Sequence, residues 1–158
     1  MEIRLMKAGE ADVVAQIVRE AFRASADALG LTEAACPSYV AFEQAGGVTQ
    51  CIERGATVAL LLENETPIGT VRWYIHNGVG HVERLAVRPA YRKRGHGAAL
   101  VAYAEAAMAQ SGAHTAALSI VKAFTRLEMF YGGIGYVAAR DARYDRLPFE
   151  VRHMEKAL

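Results

Sequence analysis

At 158 residues, with 53% hydrophobic and 22% charged residues, the chain has room for one well-buried core and is short for two. A single domain spanning residues 1–158 is the expectation. The formal net charge of +1 supplies no global field that would draw the molecule to nucleic acid or to a membrane surface.

In chain order, Ile3 to Met6 reads as a short strand, and the helical spacing of Val14, Ile17, Val18, Ala21 and Phe22 predicts a helix from Ala11 that fades near Ala28. Gly30 to Pro37 reads as a loop. Ser38 is placed to cap a second helical stretch running to Glu53, although Gly46-Gly47 weakens it. Thr57–Leu62 and Ile68–Ile75, separated by the polar turn Glu63-Asn64-Glu65-Thr66-Pro67, form a hairpin pattern. After Asn77-Gly78-Val79-Gly80, a further strand runs from His81 to Val87. Ala98–Gln110 is strongly helical, Thr115–Val121 a strand, and Phe124–Tyr131 a helix that Gly132-Gly133 would stop. Ile134–Ala139 and Phe149–Lys156 complete the series as strands. Hairpin-paired strands first and helical crossovers later describe a mixed α/β sheet with helices packed on it.

Other signals are mostly negative. Cys36 and Cys51 lack a spacing suited to a disulfide framework or a metal pair and read as reduced, semi-buried residues. His76, His81, His96, His114 and His153 are scattered without ligand spacing, so no metal is expected. The N-terminal residues lack a signal-like apolar run and no segment approaches membrane-spanning length, which makes the cytoplasm the default compartment.

Chemistry concentrates between the fourth strand and the following helix. Arg84, Arg88, Arg92, Lys93 and Arg94 precede Gly95-His96-Gly97-Ala98, with no acidic residue from Arg84 to Ala104. Glycines let backbone N–H groups close on a phosphate, and the helix start adds about half a positive charge. A dinucleotide fingerprint fails because Leu100 stands at its third glycine. A Walker loop fails for want of Gly-Lys-Ser/Thr. A merely solvated basic turn remains the plain alternative.

The run Glu83-Arg84-Leu85-Ala86-Val87-Arg88-Pro89-Ala90-Tyr91-Arg92-Lys93-Arg94-Gly95-His96-Gly97 resembles the acyl-CoA-binding motif of the Gcn5-related N-acetyltransferase (GNAT) superfamily. Phe130-Tyr131-Gly132-Gly133-Ile134-Gly135-Tyr136 is similar to that family's helix-to-strand signature. Ile3–Ala8 with Asp12, and Arg152–Lys156, are similar to its first and last elements. The resemblance implies a mixed, mostly antiparallel sheet of six or seven strands, splayed at the fourth and fifth, with about four helices on its faces. It also implies transfer of an acetyl group from the cosubstrate acetyl-CoA to a primary amine, with no metal. On this pattern Leu85, Ala86 and Val87 would meet the acetyl-pantetheine arm, and Arg92, Lys93, Arg94, Gly95, His96, Gly97 and Ala98 would hold the pyrophosphate. Tyr131 would be the general acid for the leaving thiolate, as in the resembling enzymes. Its plain alternative is packing with Phe124, Leu127 and Phe130.

Glu83 is the candidate base, directly or through a water. Strand alternation puts it on the face of Leu85 and Val87, and a carboxylate on a central strand calls for a partner or a purpose. His81, two residues earlier, is its rival, and a salt bridge from Glu83 to Arg72 or Arg84 its plain alternative. Phe124 and Leu127 depart from the family, which usually has an asparagine and a small residue there; Lys122, Thr125 or Arg126 are the candidate replacements. Trp73, Tyr74 and Tyr144 are candidates for a substrate pocket, with core packing as their alternative. Arg140, Asp141, Arg143, Asp145 and Arg146 read as a polar loop that, with residues Arg23 to Ser38, would shape the acceptor site by resemblance. The competing functions are a non-catalytic acyl-CoA-binding or sensor protein and nucleic-acid binding, the latter disfavoured by the near-neutral charge. The amine, whether small molecule or peptide, stays open, as does monomer against homodimer.

Overall fold

The computed structural model describes residues 1–158. Its elements are β1 (Glu2–Leu5), α1 (Ala11–Leu29), a short 3-10 turn (Val40–Phe42), α2 (Ala45–Glu53), β2 (Thr57–Glu63), β3 (Thr66–His76), β4 (Val79–Val87), α3 (His96–Gln110), β5 (Thr115–Val121), α4 (Thr125–Gly133), β6 (Val137–Arg143) and β7 (Glu150–Ala157). The strands form one seven-stranded sheet in the order β1-β2-β3-β4-β5-β7-β6, antiparallel throughout except for β4 and β5.

Two apolar layers sandwich the sheet. On one face α3 contributes Leu100, Val101, Ala104 and Met108, at helical spacing, and α4 contributes Tyr131, against Leu61, Val71, Trp73, Leu118 and Met154. On the other, Val14, Ile17 and Val18 of α1 and Val48 of α2 pack on Val58, Leu60 and Leu62. The run Val58–Leu62 is buried along its whole length because both faces of β2 are covered. No helix is long and apolar enough to cross a membrane.

The element order matches the sequence reading; several boundaries do not. Ser38 caps nothing: the chain makes a 3-10 turn first, and α2 begins at Ala45 with Gly46-Gly47 in its first turn, where few intrahelical bonds are lost. Gly132-Gly133 lies inside α4; the reversal comes at Gly135, whose φ of 103° a side chain would resist. That delays β6 to Val137, so Arg140, Asp141 and Arg143 belong to a strand and the loop proper starts at Tyr144.

Two irregularities in β4 position the site. β4 and β5 pair only through Val79–Thr115, Gly80–Ala116 and His81–Ala117, and beyond these the parallel strands separate. Just past the divergence, Thr70 faces Ala86 while Arg72 faces Glu83, so β4 holds one more residue than β3 over this stretch. The extra residue is Arg84, at φ 53°. This bulge reverses the alternation. Leu85 and Val87 stay with Val82 on the α3 face, whereas Glu83 turns to the α1 face beside Arg72. The expectation that Glu83 shares a face with Leu85 and Val87 is therefore corrected; a non-glycine bulge leaves no mark in a hydrophobic pattern.

Candidate active site

A cleft of about 530 Å³ opens where β4 and β5 part. Its walls are Val82–Leu85 of β4 and Leu118–Val121 of β5, closed by α4 on one side and by α1 and the β6–β7 loop on the other. The edge of β4 from Val82 to Val87 has no strand partner on the β5 side, which leaves backbone groups there free for an extended ligand.

The β4–α3 connection is built to present donors. A single turn at Pro89–Tyr91 ends with Arg92 N–H bonded to the Pro89 carbonyl, and the next backbone amide to find a backbone acceptor is Ala99, on Gly95. The amides of Lys93, Arg94, Gly95, His96, Gly97 and Ala98 donate to no backbone carbonyl, and no side chain caps the helix. Lys93 and Gly95 hold positive φ, 63° and 79°, which folds these donors into a concave run at the positive end of α3. A side chain at Gly97 would meet the Phe130 ring 3.3 Å from its Cβ, so the glycine lets α4 close onto this end of α3.

The loop's cations are less free than the sequence suggests. Arg92 donates to the carbonyls of Ala21 at 2.6 Å and Val87 at 3.3 Å, tying the loop to α1 and to the end of β4. Arg88 is paired with Glu20 and with the Pro67 carbonyl. Arg94 lies 3.7 Å from Glu63 and over the Tyr91 ring, but is half exposed, and Lys93 is exposed with no ion pair. The His96 ring is buried, both its nitrogens lacking a partner, so only its backbone faces the loop's concavity.

Tyr131 lines the cleft from α4. Its ring packs edge-on against Phe130 at 5.0 Å and Tyr136 at 5.8 Å, and burial alone lifts its phenol well above the ordinary pKa. It is both a core residue and a cleft residue, with a proton that stays on at neutral pH. Glu83 also borders the cleft, but Arg72 Nε lies 2.8 Å from its Oε1. Arg72 in turn contacts Glu43 Oε1 at 3.2 Å, and Glu43 Oε2 receives Arg84 Nε at 2.7 Å. Burial works against charge on Arg72, yet Glu83 and Glu43 outweigh it and hold its pKa above the usual value. His81 stacks on Tyr74 at 4.7 Å, and burial, with His76 adding to it, lowers its pKa.

Several expected residues lie elsewhere. Trp73 is in the core, Tyr74 is exposed beside His81, and Tyr144 bonds His153 at 2.7 Å; none lines the cleft. Lys122 is bound by Asp141 at 3.0 Å and Glu150 at 3.3 Å, leaving Thr125 and Arg126 exposed on α4. Glu43, absent from the sequence reading, joins a cleft residue to the core, and Phe22, Tyr39 and Phe149 line the cleft unannounced. Tyr39, which opens the apolar run Tyr39-Val40-Ala41-Phe42 just before the buried Glu43, was the available signal. No three His, Cys, Asp or Glu side chains converge as a metal site would require.

Residues 15–136 match the model of the acetyltransferase (GNAT) family. The chain belongs to that family. Among solved structures, the PaiA N-acetyltransferase of Thermoplasma acidophilum, in complex with coenzyme A, superposes with a TM-score of 0.80 at 19% identity, covering 100% of each chain. A GCN5-related N-acetyltransferase from Rhodopseudomonas palustris gives 0.78 at 18%, covering 99% of this chain and 95% of its own. The ribosomal-protein-S18-alanine N-acetyltransferase of Escherichia coli gives 0.75 at 15%, covering 99% and 92%. At these identities the likeness is one of fold. No curated protein matches the sequence.

Proposed function

We propose that this GNAT-family protein is an N-acetyltransferase that moves the acetyl group of acetyl-CoA directly to a primary amine. The observation that carries the reading is the unbroken run of unbonded amides from Lys93 to Ala98, set at the mouth of a cleft whose β4 edge is itself unpaired. Such a run suits a diphosphate, and the edge suits an extended amide-bearing arm. The amides of Lys93–Ala98 hold the pyrophosphate, with Lys93 and Arg94 adding charge. Arg92 acts on the loop's shape through the carbonyls it binds. The backbone of Leu85, Ala86 and Val87 aligns the pantetheine arm.

In the reaction the amine nitrogen bonds to the thioester carbon and the carbon–sulfur bond breaks. Tyr131 gives its proton to the departing sulfur, a role favoured by a phenol that burial keeps protonated. The proton lost by the amine goes to Glu83 through a water, since Arg72 already occupies Oε1; His81, on the same face, is the rival acceptor. Transfer is direct: Cys36 is buried against the Arg146 carbonyl, and neither it nor Cys51 lines the cleft.

Calorimetric titration with CoA, followed by thiol release from acetyl-CoA across an amine panel, tests the proposal. CoA binding with amine-dependent thiol release supports it. Binding without turnover would make the protein an acyl-CoA sensor, and absence of binding would remove the reading altogether.

A further inference from the structure

The side of the cleft away from α4 has its own composition. Phe22 of α1, Tyr39, and Leu147 and Phe149 of the β6–β7 loop form an apolar wall there, part of a small core of their own. The cleft's charged lining residues are Glu83, Arg84 and Arg146. Glu43, Arg72, Glu83 and Arg84 form a closed set of two carboxylates and two guanidinium groups, so their charges cancel. Within that set Glu43 holds Arg84 by Nε, leaving its two terminal nitrogens uncommitted beside the cleft. Arg146 has no carboxylate within ion-pairing distance. Its guanidinium rests 5.2 Å over the Tyr144 ring, and its carbonyl receives the Cys36 thiol at 3.9 Å. The rim of the acceptor side therefore carries one positive charge without a carboxylate partner, on the exposed Arg146.

We infer that the amine acceptor carries a carboxylate, and that an α-amino acid with an apolar or aromatic side chain is the substrate class. The inference rests on the acetyl-transfer reading above and names the acceptor of that site. An amine must be neutral to attack, so an α-amino acid enters the reaction with net charge −1, the complement of Arg146. Its carboxylate can take a two-pronged hydrogen bond from a guanidinium, and its side chain can cover the wall of Phe22, Tyr39 and Phe149. A polyamine that frees one nitrogen still carries further positive charges, and the cleft has no unpaired acid to meet them. Atoms balance as an amide and a free thiol: the neutral amine's proton leaves to the base, the sulfur takes one from Tyr131, and the base's proton returns to the tyrosinate through solvent.

The test uses the full chain with acetyl-CoA and four acceptors: L-phenylalanine, L-phenylalaninamide, phenethylamine and spermidine. Thiol release is followed by mass spectrometry of the acetylated product. The expected result is a kcat/KM for phenylalanine at least about 10-fold above its amide and above spermidine. Arg146→Gln should shrink the acid-over-amide ratio about 5-fold, chiefly through the KM for the acid, and Arg146→Lys should restore part of it. Equal use of acid and amide, preference for spermidine, turnover of none of the four, or a ratio untouched by Arg146→Gln would each overturn the inference. A parallel CoA titration separates the failures, because intact CoA binding with any of those outcomes overturns the acceptor class while leaving the cofactor reading standing.

Discussion

Two polar regions flank the divergence of β4 and β5, and they are built on opposite plans. In the β4–α3 loop, the amides from Lys93 to Ala98 have no acceptor. In the network on the other face, Glu43, Arg72, Glu83 and Arg84 are joined at 2.7 to 3.2 Å, with Arg19 also donating to the Glu43 carbonyl. Exposed unbonded donors cost little, because water serves them until a ligand replaces it. A buried carboxylate between guanidinium groups is costly to leave unpaired, so the fold saturates it. Binding capacity therefore lies in groups the fold leaves uncommitted, and charge count is a poor guide to it. Arg92 looks like a phosphate ligand in the sequence and is already engaged, and Glu83 has one carboxylate oxygen bound by Arg72.

That contrast can be broken at either region. The largest effect is expected at the chemistry between them: Tyr131→Phe should lower kcat about 10- to 1000-fold with CoA affinity little changed, measured by thiol release and calorimetry. Unchanged turnover would return Tyr131 to the core alone. In the saturated region, Glu43→Ala should destabilise the fold by about 3 kcal/mol in urea unfolding, because it takes one of two carboxylates from the buried Arg72 and the carboxylate partner from Arg84. A loss below about 0.5 kcal/mol would mean that the network is not the closed structural set described.

In the open region the effects are smaller and fall on affinity. Gly97→Ala should weaken CoA binding about 3- to 10-fold by pushing Phe130 from the helix start, and Arg94→Ala about 3-fold with a dependence on salt. Arg92→Ala should act more on thermal stability than on affinity, since its partners are protein carbonyls. An affinity loss for Arg92→Ala exceeding that of Arg94→Ala would reverse this division.

The smallest effect lies far from the site. Glu10 is held down to a pKa of about 2, first by its bond to Arg4 and then by the Lys7 amide. A depressed carboxylate contributes its stability above the unfolded value, near 4.5, and loses it as pH falls toward 2. Glu10→Gln should flatten the acid limb of the thermal-melting profile in that window and leave the slope near pH 7 unchanged. An unaltered acid limb would show the contact to be too solvated to matter.

Much of the fold was legible because local signals agree: α1, α3 and β5 show their period, and the loops between them carry glycine or polar turns. The α3 loop was legible for the same reason, since glycine spacing and helix start are adjacent in sequence. What escaped depends on long-range packing. Glu43 meets Arg72 and Arg84 from 29 and 41 residues away, and no local pattern announces such a set. The bulge at Arg84 shifts every later side chain of β4 by one position, yet its residue type is not one that favours positive φ. Gly132-Gly133 looked like a helix stop because the pair is flexible, but the turn was set two residues later, at Gly135.

The central claim is that a diphosphate is gripped by the uncommitted amides after β4. Amide-resolved NMR during a CoA titration addresses it residue by residue. The N–H resonances of Lys93 to Ala98 should shift together, on one saturation curve, and gain protection from exchange. Saturable binding that leaves those amides unmoved would contradict it.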